Sequence, residues 1–154
     1  MYININDNCG TINECSDNCL IDTGGNDGQH DCTVPSGHSP GDTFATRTTV
    51  YEIIRINRCV RSGLNLGWLD FAIHCNVNII GTGSAYYSGN TINFYRSGGG
   101  CRNTGEIASV FDHEWWHALD YNDPAGLSNP SEAIADIGAA LRLHESCIGR
   151  GVFF

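Results

Sequence analysis

The sequence contains no lysine: its 8 basic residues are all arginine, set against 17 acidic ones for a net charge of -9. Without a basic stripe to displace counterions from phosphates, no nucleic-acid partner is expected. Charge of either sign is scarce, at 16% of residues against about a quarter in ordinary domains, so Asn, Ser, Thr and Gly must dress the surface. Apolar runs extend only a few residues, which leaves nothing long enough to form a membrane-spanning helix. Also missing are any Asn-x-Ser/Thr glycosylation acceptor, any Cys-x-x-Cys pair and any methionine beyond Met1. The opening stretch, Met1-Tyr2-Ile3-Asn4-Ile5-Asn6-Asp7, has neither the basic nor the apolar segment of a signal peptide. A processed product or a fragment of a longer precursor is therefore expected.

What is present is 154 residues, 41% of them hydrophobic, which suits one domain spanning residues 1–154 around one core. The 8 cysteines (Cys9, Cys15, Cys19, Cys32, Cys59, Cys75, Cys101 and Cys147) form an even set. They read as a cystine framework with every member paired, and so as a secreted or cell-surface, extracytoplasmic chain. Four of them fall in residues 1–42 with Pro35, Pro40 and many Asn, Asp and Gly, which reads as a cystine-stapled loop region. Within it, Asp22-Thr-Gly-Gly-Asn26-Asp27-Gly28-Gln-His-Asp31 gathers oxygen ligands that could hold Ca2+. The spacing of an EF-hand loop is absent, and a solvated turn accounts for the same composition.

Residues 43–145 read as the core. Asp42 is a good N-cap, and Val50, Ile53, Ile54 and Val60 recur at helical spacing up to Gly63, which predicts a long amphipathic helix. Cys75-Asn76-Val77-Asn78-Ile79-Ile80 alternates with period two, and Thr91–Tyr95 follows the turn at Ser88-Gly89-Asn90, which predicts two or three strands. Asn103 with Glu106 three residues later forms a capping box before the apolar stripe Ile107, Val110, Phe111, which predicts a helix to about Tyr121. Asn129-Pro130 then opens a largely buried helix to about Glu145.

The predicted helix from Asn103 contains His113-Glu114-Trp115-Trp116-His117, a His-Glu-x-x-His motif. At about 100° per residue the two histidines lie about 40° apart and one turn up, so both imidazoles reach one ion. Glu114 stands near enough to take a proton from a water held there. The plainer alternative is a helix with two exposed histidines. Zinc needs a third protein ligand, and two carboxylates compete. Glu132 lies on the next helix with Asp136 one turn on, placed to accept the hydrogen bond that orients a ligating imidazole. Both acids would be costly on a buried apolar helix without such partners. Asp123 stands where a third ligand falls in the longer His-Glu-x-x-His-x-x-Gly-x-x-His/Asp pattern, but Asp120 replaces its turn glycine.

Ser131-Glu-Ala-Ile-Ala-Asp136 resembles the Asn-Glu-Ala-Ile-Ser-Asp motif of the thermolysin-like gluzincins, zinc metallopeptidases, and lies as theirs does shortly after His-Glu-x-x-His. Ser84-Ala85-Tyr86-Tyr87 is similar to the Asn-Ala-Phe-Trp segment with which that family's edge strand holds extended substrate. The resemblance covers roughly residues 43–145. It implies a zinc endopeptidase with His113, His117 and Glu132 as Zn2+ ligands, Glu114 as general base and Asp136 orienting a ligand. It also implies that Ser84, Ala85 and Tyr86 bind a peptide or protein substrate. The arrangement resembles only a minimal form of that family, in which the C-terminal helical subdomain is expected to be missing and Trp116 stands where such motifs hold a smaller residue.

The expected architecture is an α+β, zincin-like, disulfide-stapled domain. A small mixed sheet lies over a backing helix, with the zinc and ligand helices facing each other below an edge strand. Tyr87, Tyr121 and His144 are weak candidates for steadying an oxyanion, since single aromatic and His residues more often simply pack. Two rivals stand beside the gluzincin reading: a non-catalytic zinc-stapled structural or surface-assembly module, which a closed, dry metal site would favour, and a zincin with Asp123 as ligand.

Overall fold

The computed structural model describes residues 3–13, 30–125 and 131–153. Four strands, β1 (Ile3–Asp7), β2 (Ile73–Ile79), β3 (Ala85–Ser88) and β4 (Thr91–Tyr95), form one mixed sheet in the order β1-β2-β4-β3. β2 runs parallel to both β1 and β4, and β3 pairs antiparallel with β4 at the edge. Three α-helices are described, α1 (Phe44–Arg61), α2 (Ala108–Asn122) and α3 (Ser131–Leu143), so the class is α+β. None of the described helices is long and apolar enough to cross a membrane.

The core forms where the period-two and period-3.6 patterns meet. Ile73, Cys75 and Val77 of β2 and Ile92 and Phe94 of β4 point inward, against Ile53, Ile56 and Val60 of α1 and Phe111, Trp115 and Leu119 of α2. Each fully buried aliphatic or aromatic side chain here contributes about 1.5–3 kcal/mol. Trp115 is completely buried and donates its indole N–H to Asn57 Oδ1 at 3.1 Å, which satisfies the polar atom of an otherwise apolar plug and ties α2 to α1.

Several expectations give way. β1 lies inside the stretch read as cystine-stapled loop: Ile3 and Ile5 alternate with Asn4 and Asn6 and pair with Ile73 and Cys75. One disulfide, Cys9–Cys32, closes that region. Cys59, Cys75, Cys101 and Cys147 are free, which overturns full pairing; Cys15 and Cys19 lie outside the described residues. Cys75 serves as a small hydrophobe in the middle of the core, where burial pushes its thiol well above the usual range.

The caps also shift. Thr43, not Asp42, caps α1, accepting the Thr46 N–H at 3.3 Å, while Asp42 pairs with Arg47 and His38. Asn103 caps a 3-10 turn, Thr104–Glu106, and the extended residue Ile107 separates that turn from α2. The proposed cap at Asn129-Pro130 lies outside the described residues. α3 is not largely buried: Ala135, Gly138 and Ala139 face inward, while Ile137 and Leu141 are exposed.

A buried polar network fastens the amino-terminal strand to this frame. Asp7 accepts from Thr43, Thr46 and Asn78, and Asn103 donates to both Asn78 and Asp31. Asn78 reaches it by adopting a left-handed backbone (φ 56°) where the β2–β4 register shifts. Of the acidic segment considered for Ca2+, only residues 30 and 31 are described. The Asp31 carboxylate is engaged by the Ser97 N–H at 2.8 Å and by Asn103 at 3.1 Å.

Candidate metal centre

One face of α2 carries His113 and His117 a turn apart, with ring planes at 86° and Nε2 atoms 2.9 Å from each other. Each ring is held from behind. His113 Nδ1 lies 2.8 Å from Asp136 Oδ1, and His117 Nδ1 lies 2.8 Å from Ser131 Oγ. The Asp136 carboxylate can only accept, which places the proton of a neutral His113 on Nδ1 and its lone pair on Nε2, while the Ser131 hydroxyl holds the His117 ring in place. Burial, and then the nearby His113, lower the basicity of His117 and favour its neutral form.

Glu132, in the first turn of α3, brings Oε2 to 3.2 Å from His113 Nε2 and Oε1 to 3.5 Å from His117 Nε2. The donor atoms of His113, His117 and Glu132 all lie within 4.8 Å of one another, a group that could hold a metal ion. The chemistry fits. Two ring nitrogens 2.9 Å apart call for a proton or a cation between them, and two imidazoles with a carboxylate are a ligand set that zinc takes with a position left open. Glu132 and Asp136 are well exposed, with side chains 81% and 55% accessible, so they are not buried acids in need of rescue as the pattern suggested. Their placement rests on facing the two histidines.

The group lies in an open cleft of about 440 Å3, whose walls are Ala85, Tyr86 and Tyr87 on one side and His113, Glu114, His117, Ser131 and Glu132 on the other. Glu114 points toward the edge strand and accepts the backbone N–H of Tyr87. Burial, and then the neighbouring Glu132 carboxylate, push its carboxyl up to about 7, against the opposing pull of that N–H. Glu114 thus stands beside the group without belonging to it.

Neither a protein-family model nor a curated protein matches this sequence.

What seats Glu132 is the junction of α3 with α2. Trp116 finds its room over Gly138: a Cβ there would stand 2.2 Å from Trp116 Cδ2, so only glycine lets the ring lie between the helices. A turn further on, Arg142 donates to Asp112 of α2 and Glu52 of α1, three nearly buried charges that lock the helix's far end. Burial pushes the Asp112 carboxyl up to about 7, with Arg142 pulling the other way.

Of the substrate-binding residues read from the sequence, Ala85 and Tyr86 line the cleft and Ser84 does not; its hydroxyl donates to the Ala85 carbonyl at 3.0 Å. Asp123 lies outside the metal group and accepts the Ala125 N–H at 2.9 Å, an ordinary turn role. Tyr87 lines the cleft, its ring 5.8 Å from the exposed Tyr121, whereas His144 ends α3 with a left-handed backbone. Sequence reasoning gave no role to Ser131, Gly138 or Arg142. A glycine and an arginine inside an otherwise apolar helix were the available signals for the last two.

Proposed function

We propose that the chain is a zinc-dependent endopeptidase of the zincin type, working outside the cytoplasm. The observation that carries this reading is the pair of Nε2 atoms 2.9 Å apart, backed by Asp136 and Ser131, with Glu132 and Glu114 beside them in an open cleft. His113 and His117 through Nε2, and Glu132 through its carboxylate, would hold the ion. Zinc held there supplies Lewis acidity toward water and toward a peptide carbonyl.

The remaining work falls to the chain's own side chains. Glu114 accepts the proton of the attacking water and delivers it to the departing amide nitrogen, one residue acting as base and then acid. The Tyr87 N–H fixes the direction of its carboxylate. Among the described residues no strand pairs with the outer edge of β3, and an extended peptide could add there as a further strand beside the Tyr87 N–H that Glu114 accepts, which would lay the scissile bond across the α2 face. The acyl acceptor is water, so the products are a free carboxylate and a free amine.

A structural zinc staple calls for a closed site with four protein ligands. The open cleft and the carboxylate that stands outside the ligand group favour catalysis instead. The Cys9–Cys32 cystine is compatible with an extracytoplasmic setting.

The test is Glu114→Gln. It should bind one equivalent of zinc as the parent does, yet lose hydrolysis of an unstructured protein such as casein by a factor of at least about 100. Undiminished hydrolysis, with contaminating protease removed, sinks the assignment of the base; zinc-loaded parent protein that cleaves no peptide sinks the enzymatic reading.

A further inference from the structure

A second hollow, of about 460 Å3, opens at the amino-terminal ends of β2 and β4. Trp68, Phe71 and Ile73 form its apolar wall, and Asn90 and Asn122 form its polar lip. Nothing in the reaction just described uses it. Its rings are anchored unequally: Trp68 packs on the core, 5.7 Å from Trp115, whereas Phe71 stands 69% exposed at the rim. A large aromatic surface left in water beside a concave wall is where a peptide-binding protein gains affinity.

Tyr87 stands between the hollow and the metal cleft. Tyr87 lines that cleft, and its hydroxyl is held by the two lip residues, donating to Asn90 Oδ1 at 2.9 Å and accepting from Asn122 Nδ2 at 3.2 Å. Tyr87 is therefore the partition between the two spaces. Distance along α2 gives the spacing: from His117 to Asn122 the helix rises about 7.5 Å. An extended peptide covers about 7 Å in two residues. Its side chains also return to the same face every second residue.

Resting on the endopeptidase reading, we propose that this hollow is a subsite for a bulky apolar side chain, aromatic foremost, two residues from the scissile bond of a peptide laid along β3. Trp68 and Phe71 meet the substrate ring, and the carboxamides of Asn90 and Asn122 meet the adjoining backbone. The two occupants one residue apart on the opposite face of the peptide point away from the hollow, so selectivity is confined to one position.

The experiment uses blocked alanine-based peptides that differ only in carrying Phe or Ala two residues from the cleaved bond, on either side of it. The zinc-loaded parent should prefer the Phe peptide by about tenfold or more in kcat/KM at one of the two positions, the scale of one well-filled apolar pocket. Phe71→Ser should bring that ratio close to one, mainly through KM. Leu64→Ser, which trims an exposed apolar side chain outside the hollow, should leave the ratio alone. Cleavage without any Phe preference, or a preference that survives Phe71→Ser, overturns the subsite while the enzymatic reading stands. Binding of the same peptides to zinc-loaded Glu114→Gln, with and without Phe71→Ser, is read by calorimetry and does not depend on turnover. If the parent cleaves nothing, a Phe preference in binding that Phe71→Ser removes still supports the subsite, and equal binding of the Phe and Ala peptides refutes it.

Discussion

Replacing the side chains around the two histidines one at a time should produce a ladder of zinc affinities whose order follows from their distances. Glu132→Ala removes an oxygen donor 3.2 Å from His113 Nε2 and should weaken zinc by orders of magnitude, since two imidazoles alone form half a coordination shell. Asp136→Ala leaves all three donors in place but frees the His113 ring, whose Nδ1 it holds at 2.8 Å. Loss of such a partner costs about 10 to 100-fold, or about 1.4–2.7 kcal/mol. Ser131→Ala does the same to His117 with a neutral partner, for which about 0.5–1.5 kcal/mol is appropriate. Asp123→Ala should change nothing, because its carboxylate serves the Ala125 N–H. Competition against a chromophoric chelator at neutral pH measures all four, with far-ultraviolet circular dichroism confirming that each variant is folded. The opposite ranking, with Asp123→Ala metal-free and Glu132→Ala unaffected, would refute the ligand assignment, and equal small losses throughout would mean that no built site exists.

Three further outcomes are expected. Gly138→Ala should destabilise the fold by about 1–3 kcal/mol, although alanine is the better helix former by about 1 kcal/mol, because the new methyl meets the Trp116 ring; equal or higher stability in urea unfolding contradicts this. Arg142→Met strands Asp112 and Glu52 as buried carboxylates and should cost about 3–5 kcal/mol by the same measurement; a loss near zero would mean that the triad holds nothing. Native alkylation at mildly basic pH, mapped by mass spectrometry, should modify the exposed Cys59 and Cys147 and spare Cys75. A raised thiol pKa means less thiolate at the reagent's pH, so Cys75 should react only after unfolding; early labelling of Cys75 would show the core to be open.

The His-Glu-x-x-His pair and the Glu132 to Asp136 spacing were legible in one dimension because each lies within a single helix, where angular position follows from counting. Thr91–Tyr95 was legible as a short run of strand-forming residues whose start the turn at Gly89-Asn90 marks. The helix break at Ile107 was not, because Asn103 satisfies a cap equally well at a 3-10 turn and at an α-helix. β1 was hidden by its neighbours: its alternation spans only five residues, and the cysteines and acids around it suggested a loop. Cystine pairing failed because an even count says nothing about which thiols the fold brings together, and β2 carries Cys75 into the core. The acids of α3 were given a correct placement by a wrong argument, since an apolar composition concealed that Ile137 and Leu141 face water.

The junction of α3 with α2 has a consequence for how the protein responds to metal supply. Glu132 and the two histidines sit on different helices, so an ion between them is a removable cross-link between α3 and the body. At zinc a hundredfold above its dissociation constant that link is worth about 2.7 kcal/mol. The gain counts against local opening of α3 as well as against global unfolding, since the ion's proposed ligands come from both helices and either event separates them. When zinc is withdrawn, the amides of α3 should exchange with solvent first while the sheet stays protected. On the proposed reading, metal scarcity would then open the ligand helix to proteolysis ahead of the sheet, and the apo form would be the shorter-lived one.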